Sequence, residues 1–251
     1  MFSYLYNTLL HNPFYNLLIL FSFLLPNQDL GLAIIALTLL VKGLLFPLSH
    51  KSIKTQAKMR ELEVPMKEIK EKYKNDNQQQ AVKVMNLYKE HGVNPFSGIF
   101  LLLIQIPIIL SLYFVFREGV NLLSPDIYAF IPKPETVNSM FLGLVDIAKP
   151  SYVLAVLVGV TQFFQAKFSV QPLPKQEKKK DAPPSFQDEF AKSMQLQVKY
   201  FLPVFIGFIA TKLNAGISLY WITNNLISIV HELFVKKKSK DVLLTVENKN
   251  L

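Results

Sequence analysis

With 251 residues, 51% of them hydrophobic, and no cysteine, the chain is too apolar for an ordinary soluble domain and forms no disulfides, thiolate metal sites or cysteine-linked lipid anchors. Its formal charge of +9 suits a nucleic-acid binder in isolation, but in so apolar a chain the question is where the basic residues fall. The composition points to one all-α polytopic membrane domain, with no sequence-specific nucleic-acid recognition.

Residues 1–30 carry no Lys or Arg and so lack the basic flank of a signal peptide; they are expected to persist as an extracytoplasmic segment. Phe14 to Leu25, an apolar run between Pro13 and Pro26, is short for a span. A helix lying on the membrane surface is expected there, with a shallow or tilted span as the alternative.

Residues 31–49 are apolar enough to span a bilayer yet carry Lys42 near the middle. At about 1.5 Å per residue they cover roughly 28 Å, close to the hydrocarbon thickness of about 30 Å. A charge at that depth costs about 2.5–3.5 kcal/mol, so Lys42 needs water or a partner. Snorkelling is opposed by the tilt of Cα–Cβ bonds toward the helix N-terminus, and the other apolar segments hold no carboxylate in their cores, the nearest being Glu232. A water-filled cavity inside the bundle is the expectation.

The chain turns polar over 53–92. Met59, Leu62, Met66, Ile69 and Tyr73 form one helical stripe, Ala81, Met85 and Tyr88 a shorter one, and Asn75-Asp76-Asn77 supplies turn chemistry between them. The pattern predicts a helical hairpin outside the bilayer, restarted or kinked at Pro65, either functional or merely closing the loop. Further spans are predicted at 95–116, with Gln105 and Pro107, at 151–170, at 196–213, with Pro203, and at 217–235. A mixed-polarity loop fills 117–150, with Phe130, Phe141 and Leu144 suited to the interface; a mobile cytosolic linker is expected at 171–189 and a frayed basic tail at 236–251. With the N-terminus outside, Arg117, Lys133, Lys149 and Lys212 are the outer basic residues, and apart from Lys42 the rest of the 27 lie inside. Five spans, N-out and C-in, follow from the positive-inside rule.

All four histidines, His11, His50, His91 and His231, sit at or beyond span ends, so catalysis within the membrane is not expected. A polar face is. Thr38, Lys42 and Ser49 share one side of the first span, and Ser218, Trp221, Asn225 and Ser228 share one side of the last. Gln105, Thr161, Gln162 and Gln165 complete a hydrated groove, unless these groups serve as ordinary interhelical hydrogen bonds worth about 0.6–2 kcal/mol.

The segments TLLVKGLLFPLSHKS, KMRELEVPMKEIKEKY, NPFSGIFLLLIQIPIILSLYF, GVTQFFQAKF and GISLYWITNNLISIVHE, in order from about Pro13 to Val235, resemble the signatures of the YidC/Oxa-type membrane protein insertases. The resemblance implies a bacterial plasma-membrane protein that inserts nascent membrane proteins, alone or with the Sec translocon, without a cofactor. It further implies five spans, a cytosolic hairpin, and a hydrophilic groove closed to the outside but open to cytosol and lipid. Nascent chains, lipids, the translocon and the ribosome are the implied partners. Lys42 takes the place of the groove's basic residue, usually arginine, with Thr38 one turn earlier, Gln105 lining the groove, and Tyr220 or Trp221 facing substrate. Met59 to Tyr88 takes the place of the functional hairpin. The alternative is a small anion or solute transporter, with a structural membrane scaffold third.

Overall fold

The computed structural model describes the backbone of residues 2–74, 76–94, 97–119, 121–169 and 193–247. α1 (Phe2–Tyr6), a π-helical turn at Asn7–His11 and α2 (Asn12–Leu24) run on from one another. They are followed by α3 (Leu30–Glu61), α4 (Glu63–Lys72), α5 (Asn77–Glu90), α6 (Ser97–Glu118), α7 (Tyr152–Ser169), α8 (Leu202–Ala210) and α9 (Ala215–Glu247). A π turn at Gln197–Phe201 leads into α8, so that Ser193–Ala210 is one helical rod. Among the described residues, three helices are long and apolar enough to cross a membrane: Leu30–Met59, Tyr152–Ser169 and Ser193–Ala210.

Several boundaries differ from those expected, each for a physical reason. Pro13, expected to bound the first helix, lies inside it. A proline ring crowds the carbonyl four residues back and offers no N–H, and the π turn just before it widens the backbone there, Asn12 N–H bonding to Asn7. Pro203 is handled the same way, with Leu202 N–H bonding to Gln197. α3 does not stop near Ser49 but continues as helix through Pro47 to Glu61, so the first hairpin arm grows directly out of the apolar helix. α9 likewise continues to Glu247, so the basic stretch after Val235 begins as helix rather than as a frayed tail. The loop at 117–150 is not wholly irregular, because β1 (Met140–Phe141) and β2 (Val145–Asp146) pair antiparallel and add a small sheet to the expected all-α fold. The expected linker at 171–189 lies outside the described residues.

Leu18 and Ile19 of α2, Ile34 and Leu37 of α3, and Leu112 and Val115 of α6 are buried together, and α9 packs on both α3 and α7. α7 and α8 approach at Gly159 and Gly207, where an added Cβ at either would meet the other's backbone at 3.4 Å. Small residues of this kind let backbones approach closely without a solvent-driven hydrophobic effect. Outward, Leu44, Phe100, Leu103, Val204 and Phe208 are exposed, a surface suited to lipid rather than to water.

One end of the bundle is closed by the chain between α6 and α7. Asp29 caps α3, its Oδ1 accepting from Gly31 N–H at 2.8 Å and Leu32 N–H at 3.1 Å. Asn214 caps α9 through Ile217 N–H at 3.2 Å and donates to the Phe116 carbonyl at the end of α6 at 2.7 Å. The first two amides of α9 donate to the carbonyls of Lys149 at 2.8 Å and Ile147 at 3.0 Å. α3, α7 and α9 therefore start at this end, whereas α6 and α8 finish there. α2 is tied to the same loop at two levels. The Tyr15 hydroxyl donates to Asn121 at 2.9 Å, and buried Asn16 donates to Asp126 at 2.8 Å and accepts from Tyr128 N–H at 2.7 Å. At its far end, Gln28 accepts from Asn138 N–H at 3.1 Å.

Candidate functional site

A seam of polar side chains runs along α9, assembled from three neighbouring helices. Lys42 of α3 donates through Nζ to Ser228 Oγ at 3.1 Å, and the Ser228 hydroxyl donates in turn to the Asn224 carbonyl at 2.7 Å. A cation inside an apolar bundle is thus met by a neutral hydroxyl. Toward the closed end, Asn225, 3% exposed, donates to Thr161 Oγ1 of α7 at 3.2 Å. Higher still, the Gln105 side chain of α6 hydrogen-bonds the buried Tyr220 hydroxyl.

Not every predicted groove residue joins this seam. Thr38 is buried and returns its hydroxyl to the Ile34 carbonyl at 2.6 Å, which satisfies it within its own helix. Ser218 is fully buried, and its hydroxyl has no hydrogen-bond partner among the described residues. Trp221 packs beside Ala155, Val158 and Ala210, joining α9 to α7 and α8. Gln162 and Gln165 bond to each other at 3.3 Å, and Gln165 to Ser169 at 3.2 Å, forming a polar line along α7 itself. Tyr220, Trp221, Phe116, Tyr113 and Ile109 border an apolar notch of about 200 Å³ between α6 and α9.

Beyond Lys42, away from the closed end, the seam holds a pair that sequence reasoning missed. His50 Nδ1 and His231 Nε2 lie 3.1 Å apart, with nearly coplanar rings, and Phe46 stacks on His231 at 4.6 Å between centroids. Their signal was present: 42, 46 and 50 repeat every four residues on α3, and 231 follows 228 by one turn on α9. Because 42 pairs with 228 and 50 with 231, α3 and α9 cross the seam running in the same direction.

Outside the bundle, α4 and α5 pack through Leu62, Leu87, Tyr88 and Val93, flanked by Met59, Met66, Ile69 and Val84. The Tyr88 hydroxyl reaches Met66 Sδ at 3.1 Å, Gln80 donates to the Lys70 carbonyl at 2.9 Å, and burial pushes the Tyr88 phenol up. The second stripe is shifted from the predicted one. Val84, Leu87 and Tyr88 face α4, while Ala81 and Met85 are exposed and Tyr73 lies outside the cluster. Both registers fit a helical period, and only the position of the partner helix chooses between them.

The family model described as 60Kd inner membrane protein matches residues 22–242. Proteins named Membrane protein insertase YidC from Francisella tularensis subsp. novicida (strain U112) and subsp. tularensis (strain SCHU S4 / Schu 4) are each 40% identical over 207 residues, covering 82% of this chain and 32% of the relative. The chain thus spans about a third of the length of these relatives. A match over residues 22–242, which include the Lys42 helix, the α4–α5 pair and most of α9, means that the chain belongs to the 60Kd inner membrane protein (YidC/Oxa) family.

Proposed function

We propose that the chain is the core of a membrane protein insertase in the bacterial inner membrane. The observation that carries this reading is Lys42 held by a neutral hydroxyl on a polar seam, inside helices fastened together by backbone bonds at one end. A polar segment of an incoming chain enters from the opposite, cytosolic end and exchanges with Ser228 for the Lys42 ammonium. Its apolar segment moves into lipid beside the exposed apolar faces of α6 and α8. Carrying polar groups only part-way through low dielectric lowers the transfer barrier, and no nucleotide is needed.

Five crossings, N-terminus outside and C-terminus cytosolic, suit helices of which α3, α7 and α9 begin, and α6 and α8 finish, at the sealed end. The attachment of α2 to the 119–138 loop at both its ends supports a helix laid along that end at the membrane surface. In this reading α4 and α5 form a cytosolic hairpin that receives clients. Nascent membrane proteins are the substrates, and the Sec translocon and the ribosome are partners.

Vesicles containing only this protein should insert a short single-span client; no insertion together with saturable anion flux would favour a transporter. Single cysteines test the topology cleanly in a chain without any. Ser139→Cys should label from outside and Gln78→Cys only after permeabilisation, and the reverse pattern would reject the orientation.

A further inference from the structure

One buried carboxylate joins two distant parts of the sealed end. Asp29 is 4% exposed, and both of its oxygens are used. Oδ1 caps α3, while Oδ2 accepts from Leu142 N–H at 2.8 Å, a contact that spans 113 residues. Leu142 sits at φ 50, a left-handed conformation uncommon for a side-chain-bearing residue, in the turn between β1 and β2. Its amide therefore points away from the strand ladder and toward Asp29. The same hairpin is joined to α9 by the carbonyls of Ile147 and Lys149, and Gly31 leaves no room for a Cβ beneath the Phe141 ring. The hairpin thus bridges the starts of the two helices that carry the polar seam. It is fastened to α9 by backbone bonds and to α3 by backbone bonds around Leu30 and Asn138 plus the Asp29 carboxylate.

We infer that Asp29 is a positioning residue that keeps the outer mouth of the seam shut, so that a hydrated groove ends blind instead of leaking. The inference rests on the groove reading above. Asn is the discriminating substitution. It caps helices about as well as Asp, so α3 keeps its start, but it offers one acceptor oxygen in place of two and cannot serve Leu142 as well.

Ser218→Cys is a near-isosteric probe one turn inside the seal. In vesicles it should be inert to a membrane-impermeant maleimide added outside, and Asp29→Asn should raise its labelling at least tenfold and make the vesicles leak protons. Asp29→Cys with Asn138→Cys joins positions paired in a bridge. Without the Ser218 probe, this variant should leak when reduced and seal when oxidised, which excludes misfolding as the cause. Lys42→Cys, labelled from the cytosolic side, reports the groove reading separately. If it labels while Asp29→Asn leaves Ser218→Cys inert from outside and the vesicles tight, the inference is overturned and the groove stands. If Lys42→Cys is also inert, both fall.

Discussion

The two ends of the α3–α9 contact are built differently. At the sealed end the helix starts are held by backbone amides and carbonyls, by two side-chain caps and by a strand pair, several bonds converging on a short stretch of chain. At the other end, side-chain contacts between the same helices include Lys42 with Ser228 and His50 with His231. Backbone bonds cannot be exchanged without unfolding a turn, whereas a side-chain bond can be given up to any incoming polar group at little net cost. One end is thus a fixed anchor, and the other is a contact that an incoming polar group can replace.

The sharpest way to break this contrast is to reverse the charge at the exchangeable end. Lys42→Glu should abolish insertion of clients with acidic translocated segments in reconstituted vesicles, while Lys42→Arg retains it. Equal activity in both would remove Lys42 from the mechanism. The α4–α5 pair packs like an anchor, so Leu87→Ala should destabilise it by about 2–5 kcal/mol, read as faster amide exchange across α4 and α5. Met85→Ala, on the exposed face, should leave that exchange unchanged.

Glycines give the contrast in opposite signs. Gly31→Ala drives a methyl into the Phe141 ring and should lower stability by about 1–3 kcal/mol in thermal unfolding. Gly43 has nothing within 4 Å of an added Cβ, and Gly43→Ala should raise stability by about 0.4–1 kcal/mol. The smallest effect belongs to Asp146. The Lys149 ammonium, then the Ala148 amide, hold its carboxyl below the usual carboxylate range. A lowered carboxylate stabilises above its ordinary pKa of about 4, and the gain is lost as pH falls through the lowered value. Because this pair lies at the surface, Asp146→Asn should match the parent's melting temperature at pH 7 and at pH 5 alike.

What the sequence made legible follows its local periods. Apolar runs gave the helices, and three- and four-residue steps put Thr38 and Lys42 on one face and Ser218, Trp221 and Asn225 on another. Pairings across long separations were not legible. Asp29 with Leu142 and His50 with His231 depend on where distant helices come to rest, which no local period records. Thr38 shows the converse failure, because a hydroxyl on the right face is satisfied one turn back in its own helix. The hairpin register failed for the same reason, with two equally helical stripes and nothing local to choose between them.

The shared starting end of α3, α7 and α9 also has an electrical consequence. These three apolar helices present their amide ends there, and two others present their carbonyl ends. The surplus of one helix dipole is equivalent to about half an elementary positive charge. The buried Asp29 carboxylate and the carbonyls of Ile147 and Lys149 lie against those amide ends and offset it. The sealed end is therefore not a positive pole, and Lys42, rather than the helix ends, supplies positive charge along the seam.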